Sequence, residues 1–365
     1  MNIFRYTFTS VYIGKALNIF ITYIYKVLVK MKRKIIKQGH NTLTITLPSK
    51  WAKNFNLKSG DEIDLNEREN GLILSTERGN RDSKTEIDIT GLDIPSIWKY
   101  FMAAYREGYN EVKVKFDPKE TYGNPYKFAT AHKFDTKYSK KIMGYSPVET
   151  IQGITSRFIG FEIMEHHADY CIIKAMSEPT SKEFDTSLRR VFLLIQQMAE
   201  DSVEALKTKK VEILKHIHDV DINVDKFHDY CLRVLNKTGF KGFKTHLMFP
   251  SLYILELLAD EFKSIGNHIY KDVADIELNS ILPMAELVLE QFGMYSDLFY
   301  KFNKSKVVEI SNKDFQIHSY LPEFYKKSHK KKPSLSDDEL EIFTHFRRIS
   351  KYINSLLELR IEMEF

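Results

Sequence analysis

Residues 31–76 read MKRKIIKQGHNTLTITLPSKWAKNFNLKSGDEIDLNERENGLILST. Arg33–Lys37 (RKIIK) predicts a short strand and Gly39–Asn41 a turn. Thr42–Leu47 alternates Thr with Leu or Ile, the period of two expected of a half-buried strand. Pro48 presets a helix start at the first helical position. Trp51 and Phe55 lie four apart on one face, with Lys50, Lys53 and Asn54 off it. Lys58–Asp61 predicts a turn. Glu62–Asn66 and Gly71–Ser75 are two further strands around an Asn-Gly hairpin signal. Four short strands and one helical turn in about 45 residues cannot bury a stable core alone. The apolar set that includes Ile35, Leu43, Ile45, Leu65 and Leu72 needs a partner surface. A homodimer intertwined through residues 31–76 would supply it, and its symmetry would suit a pseudo-palindromic duplex.

Charge divides the chain. Residues 1–60 hold eleven basic residues and no Asp or Glu, whereas the other 305 carry 43 basic and 49 acidic groups. Seven of the eleven fall within residues 31–60, the electrostatic footprint of a phosphate-contacting surface. Lysines that merely solvate a surface or blunt an edge strand are the plain alternative.

The basic first strand, the turn before Leu43–Leu47, the Leu-Pro helix start, Leu57–Asp61 (L-x-x-G-D) and the closing Gly-Leu-Ile-Leu strand form a specific combination. In it the segment resembles the swapped-hairpin AbrB/SpoVT/MazE family over about 45 residues. The resemblance implies a dimeric module that binds double-stranded DNA. By position, Lys32, Arg33, Lys34, Lys37, His40, Lys50 and Lys53 would approach it. Lysines on phosphates position a protein without reading bases.

Residues 3–29 are strongly apolar but interrupted by Lys15 and Lys26, which leave ten uncharged residues between them. A spanning helix wants about 20 mostly apolar residues. Three readings stand: a translated leader with Met31 as the start, an anchor or interfacial helix, and packed structure. A membrane partner follows only from the second. No small-residue cleavage site of a secretory signal follows the segment. Cys171 and Cys231 are the only cysteines, too few for a disulfide framework, and they point to a reducing cytoplasm.

Glu77–Lys84 (ERGNRDSK) is polar and reads as a linker over 77–84. Residues 85–180 predict a small α/β domain: strands at 85–90, 111–116 and 168–175, helices at 94–108 and 148–158, and a polar, aromatic-rich insertion at 117–147. His166 and His167 lie near Cys171, but adjacent histidines project differently and no further ligand pattern follows.

Residues 181–365 predict an all-α, elongated bundle with helices at 182–207, 210–237, 248–273, 277–302, 305–330 and 336–362. Thr180 followed by Glu183 signals the first helix start. Three long helices followed by three more read as an internal repeat. Phe262–His268 (FKSIGNH) is similar to the LERIGDH signature of PhoU-like phosphate-uptake regulators, which are built from two three-helix repeats. Asp221–Asp225 (DINVD) is similar to that family's acidic step, and Phe346–Tyr352 (FRRISKY) takes the equivalent place in the second repeat. The resemblance implies a partner in phosphate transport or phosphate signalling. It also points to Asp221 and Asp225 as remaining metal ligands. The family's further carboxylates are replaced here by Lys263, Asn267, Arg347 and Lys351, and a cationic side chain at such a position inverts the charge and removes the ligand. Lys263 could pair instead with Asp221 or Asp225 across the bundle. Glu256 and Asp260 form another acidic pair four apart, which reads as a solvated helix face. His216 and His218, two apart, project on different faces. Lys326–Pro333 (KKSHKKKP) is a second basic cluster before a proline.

The expected fold class is therefore α+β multidomain: a β-rich swapped-hairpin module, a small α/β domain and a helical bundle. No nucleophile–base constellation, phosphate-cradling loop or metal-protease motif is present in the sequence, so neither an enzyme nor a cofactor is expected. The leading reading is a DNA-binding transcriptional regulator of phosphate uptake. The alternative is a PhoU-like adaptor that acts by protein contact without DNA. An antitoxin-like module whose remainder binds a toxin is disfavoured by the length of the folded C-terminal half.

Overall fold

The computed structural model describes residues 32–39, 42–68, 71–75, 83–123, 144–238, 244–272, 278–320, 322 and 336–365. The leader or anchor segment, His40, the 117–147 insertion beyond residue 123 and the Lys326–Pro333 cluster lie outside them. No helix among the described residues is long and apolar enough to cross a membrane. The chain divides into two compact units, residues 1–63 and 64–365.

In the first unit, β1 (Ile36–Gln38) pairs antiparallel with β2 (Thr42–Thr44), Lys37 opposite Leu43. Gly39 makes the turn at a φ of 75°, which a side chain would strain. Both strands are shorter than the sequence predicts. Pairing stops where Ile36 meets Thr44, and the chain then runs on to Pro48. Pro48 caps α1 (Ser49–Asn54) from one position outside it, rather than occupying its first turn. The Trp51 and Phe55 rings lie 5.4 Å apart. Ile35 and Leu43 remain 66% and 69% exposed, and Ile36 and Ile45 are also exposed.

The second unit begins with a hairpin. β3 (Asp64–Arg68) pairs antiparallel with β4 (Gly71–Ser75), and Arg68 opposite Gly71 leaves a two-residue connection, as the Asn-Gly signal requires. Leu65 and Leu72 are exposed.

A four-stranded sheet follows, in the order β5 (Lys84–Asp88), β6 (Glu111–Lys115), β8 (Tyr170–Ala175), β7 (Phe161–His166). β5 and β6 are parallel, and the other pairs are antiparallel. Helix α2 (Ile94–Arg106) joins the parallel pair. It starts where the Ser96 N–H donates to Asp93 Oδ1 at 2.8 Å and ends at Gly108, whose φ is 90°. α3 (Pro147–Thr155) opens with a reciprocal Ser146–Glu149 cap. Ile97, Val112, Val114, Ile151, Ile154 and Ile173 fill this layer's core. β7 is absent from the sequence reading.

Among the described residues six helices complete the unit: α4 (Ser181–Thr208), α5 (Ile217–Thr238), α6 (Thr245–Asp272), α7 (Leu278–Tyr300), α8 (Lys304–Ser319) and α9 (Asp337–Glu362). Lys209, in the left-handed region at φ 57°, ends α4, and a 3₁₀ turn over Val211–His216 precedes α5, where the sequence predicts unbroken helix. Helices α4, α5 and α6 pack on one another, as do α7, α8 and α9. Contacts of α4 with α7 and of α6 with α9 join the two triplets.

Helix α5 also packs on α2. Arg233 of α5 is only 2% exposed. Its Nη1 donates to the Tyr105 carbonyl at 2.8 Å and its Nη2 to Asn110 Oδ1 at 3.2 Å. Its guanidinium lies over the rings of Tyr105 and Phe161 at 5.0 and 4.9 Å. One turn away, Asn236 Nδ2 donates to the Arg106 carbonyl at 2.6 Å. Arg233 Nη1 and Asn236 thus meet carbonyls of the last turn of α2, of which the Tyr105 carbonyl also accepts the Gly108 N–H at 3.1 Å. A Cβ on Gly108 would come within 2.8 Å of Lys237 Cγ, so the approach itself requires glycine. Arg233→Ala removes charged hydrogen bonds and two cation–π contacts. It should lower stability by about 2–4 kcal/mol, measured by urea unfolding, while Arg190→Ala, at an exposed position of α4, should change it little.

Candidate nucleic-acid interface and a charged cavity

In the first unit Lys32, Arg33, Lys34, Lys37, Lys50 and Lys53 are all exposed. Lys37 lies on β1 and Lys50 and Lys53 on α1, three apart and so on one helix face. His40 lies outside the described residues. The nearest acid along the chain, Asp61, accepts the Lys58 N–H at 2.8 Å within its own turn. No carboxylate from residues 32–60 offsets the six cations, and an uncompensated positive surface of this kind favours a polyanion.

The second unit holds a cavity of about 300 Å³ where α2 meets α5 and α6. Asp221, Asp225 and Asp229 recur every fourth residue along α5, so they share a face. Each has a cation from another element. Arg106 of α2 donates through Nε to Asp229 Oδ1 at 2.8 Å. Arg157, just after α3, brings Nη2 to 3.6 Å from Asp225. Lys263 of α6 donates to Asp221 Oδ2 at 2.8 Å and also pairs with Asp260. The ion pair expected across the bundle is thus formed with Asp221, not with Asp225.

Aromatic rings back the arginines: Arg157 lies over Trp98 at 5.4 Å and Arg106 over Tyr253 at 5.6 Å. His228, only 1% exposed, meets Tyr253 edge-on; its Nδ1 lies 3.4 Å from Asp229 Oδ1, but neither ring nitrogen makes an aligned hydrogen bond. Arg157 Nε is likewise buried and unpartnered.

Burial governs the charges here. It pushes the Asp221 carboxyl up despite the pull of Lys263. Asp225 is pushed well up by burial and by Asp221, Asp229 and Glu256. Asp225 keeps 41% of its side-chain surface. That surface lines the cavity, where the enclosing protein still desolvates it. Burial and then Asp260 bring Glu256 up from its ordinary 4.5 to about 7. Glu256 therefore belongs to this charged interior, whereas Asp260 keeps 46% of its side-chain surface and pairs with Lys263 at its edge. Burial opposes the charge on Arg106, but Asp229 outweighs it and the net shift is upward.

A family of the description "Antidote-toxin recognition MazE, bacterial antitoxin" matches residues 36–82. No curated protein matches the sequence. The phosphate transport system regulatory protein PhoU from Streptococcus pneumoniae is similar in structure, with 20% identity and a TM-score of 0.43, over 50% of this chain and 94% of its own. PhoU from Pseudomonas aeruginosa is similar with 16% identity and a TM-score of 0.44, over 49% of this chain and 94% of its own. The chain thus joins a MazE-like N-terminal module to a helical bundle distantly similar to PhoU.

The other sequence-marked residues are scattered. Asn267 faces His218, whose Nε2 lies 3.0 Å from Asn267 Oδ1, while His216 lies 3.6 Å from Asp219. Arg347 and Lys351 are exposed on α9. His167 stacks on Tyr170, and the thiol of buried Cys171 lies 3.6 Å from His166 Nδ1. The sequence reading missed Trp98, Arg106, Arg157, His228 and Tyr253. The recurrence of Asp at every fourth position through Asp229 was the available signal.

Glu256 has a pH consequence. A carboxyl at about 7 in the folded chain and 4.5 unfolded binds more protons when folded. Stability from this group is full below 4.5 and falls as pH rises through about 7. Glu256→Gln should flatten that part of the stability–pH curve and raise stability at pH 8, measured by denaturation across a pH series.

Proposed function

We propose that this chain is a regulatory adaptor that acts by macromolecular contact. Its partner belongs to phosphate transport or phosphate signalling, as the sequence resemblance of Asp221–Asp225 and Phe262–His268 implies. The observation that carries the contact reading is a pair of exposed apolar side chains on one face of α8. Phe315 is 77% exposed and Val308, seven residues earlier on the same face, is 58% exposed. Both stay largely exposed among the described residues, and in this reading they mark an interaction surface. The N-terminal module, whose Ile35, Ile36, Leu43 and Ile45 are also uncovered, associates with a second copy of the chain.

A second reading, transcriptional regulation through double-stranded DNA, is favoured by the six exposed cations of residues 32–53. In that reading the bundle would pass the state of its partner to the module, which requires the partner to bind DNA-competent and incompetent arrangements with different affinity. A metal at Asp221 and Asp225 is a weaker proposal, because the Lys263 ammonium already holds the counter-ion place at Asp221.

Two measurements separate the readings. Affinity purification of the full chain should recover a phosphate-transport or phosphate-signalling protein, identified by mass spectrometry. Val308→Asp with Phe315→Asp should lose it while leaving the melting temperature within about 2 °C. Recovery unchanged by these substitutions contradicts the adaptor reading. Gel shift against the gene's own upstream region over a salt series tests the second reading. A specific complex weakened by Arg33→Ala with Lys34→Ala, with a flatter salt slope, supports it, and absence of binding at low salt removes it.

A further inference from the structure

Two polar stripes face each other where the triplets meet. On α6, Glu261 and His268 are seven apart and share a face. On α9, Asp338, Glu341 and His345 fall at intervals of three and four and also share one. The helices pack on one another, and the stripes interlock. His268 Nδ1 lies 2.5 Å from Asp338 Oδ1, and His345 Nδ1 pairs with Glu261 Oε2. The imidazole rings lie 5.5 Å apart, centre to centre. One ligand-type atom from each of His268, Glu341 and His345 lies within 4.8 Å of the other two.

The hydrogen bonds determine what each ring can offer. A carboxylate only accepts, so each Nδ1 must carry the proton and donate it. A neutral ring held this way keeps its lone pair on Nε2. Metal-binding histidines are typically arranged so, with the distal nitrogen donating to a carboxylate that fixes tautomer and ring orientation. Glu261 is itself held by Arg348, 3.7 Å away. His345 is buried, His268 half-buried and Glu341 exposed, which leaves a route in from solvent.

We propose that His268, His345 and Glu341 bind one first-row divalent transition metal, zinc being the expected ion. Two imidazoles and a carboxylate are a borderline donor set that suits such ions better than calcium or magnesium. Three protein ligands leave a fourth position for water. A tetrahedral ion with bonds of 2.0–2.1 Å holds its ligand atoms about 3.3 Å apart, within reach of small side-chain rotations from the present spacing. The ion joins α6 to α9 and so clamps the first triplet to the second. The site is separate from Asp221 and Asp225, and its ligands come from helices of both triplets.

The test uses the full chain, stripped with chelator and titrated with Co²⁺, then Zn²⁺. One Co²⁺ per chain should bind with visible absorption bands, and Zn²⁺ should displace it and raise the melting temperature. Glu341→Gln, at an exposed position, should weaken binding at least tenfold, and His268→Gln with His345→Gln should abolish it. Asp225→Asn should leave it unchanged. Circular dichroism establishes that each variant is folded. If the histidine variant fails to fold, Glu341→Gln decides alone. The proposal is overturned if the wild-type chain takes up no stoichiometric metal, if Glu341→Gln binds as the wild type does, or if Asp225→Asn removes the site.

Discussion

The buried guanidinium of Arg233 fixes the relation on which the second unit depends. A charged side chain 2% exposed is costly unless its donors are met. Here they are met by the Tyr105 carbonyl and the Asn110 amide oxygen, and two aromatic rings flank the cation. The end of α2 is thereby held against α5. That docking carries Arg106 to Asp229 and brings Trp98 and Tyr253 to the lining of the same cavity. Without it the α/β layer and the bundle would share no charged interior.

Within that interior the chain supplies its own counter-ions. Three aspartates recur along one face of α5, and an arginine from α2, an arginine from beside α3 and a lysine from α6 each reach one of them. Buried pairs of this kind add little net stability, since desolvation offsets their attraction, but removal of one partner leaves an expensive lone charge. They therefore specify how the elements assemble more than they strengthen the assembly. Compensation is incomplete around Asp225 and Glu256, whose carboxyls are both pushed upward.

Local signals were legible in the sequence. Thr180 and Glu183 form the reciprocal cap that their spacing announced, because a capping box is satisfied within four residues. The six described helices follow from hydrophobic periodicity, the two-residue hairpin connection from its Asn-Gly pair, and the pairing of Lys263 with an α5 aspartate from their places on facing helices. Features set by distant partners were not legible. β7 (FEIMEH) mixes charges among its apolar residues and is a strand only because β8 pairs with it, with an irregularity between Ile163 and Glu165. Arg106 and Arg157 carry no mark of their own, and they become site residues when folding brings them to α5 from more than 65 positions away. At Gly266, where α6 approaches the start of α5, a Cβ would come within 2.6 Å of Ile217 Cδ1, the end of a side chain that would have to turn aside.

The proposed function rests on apolar surfaces that the described residues leave uncovered, and Ile35, Ile36, Leu43 and Ile45 of the N-terminal unit are the plainest case. Sedimentation equilibrium of the full chain tests it directly. The proposed association of two copies gives a mass of twice 42.9 kDa at micromolar concentration, reduced to 42.9 kDa by Leu43→Asp. A wild-type chain that sediments at 42.9 kDa at every concentration would contradict it.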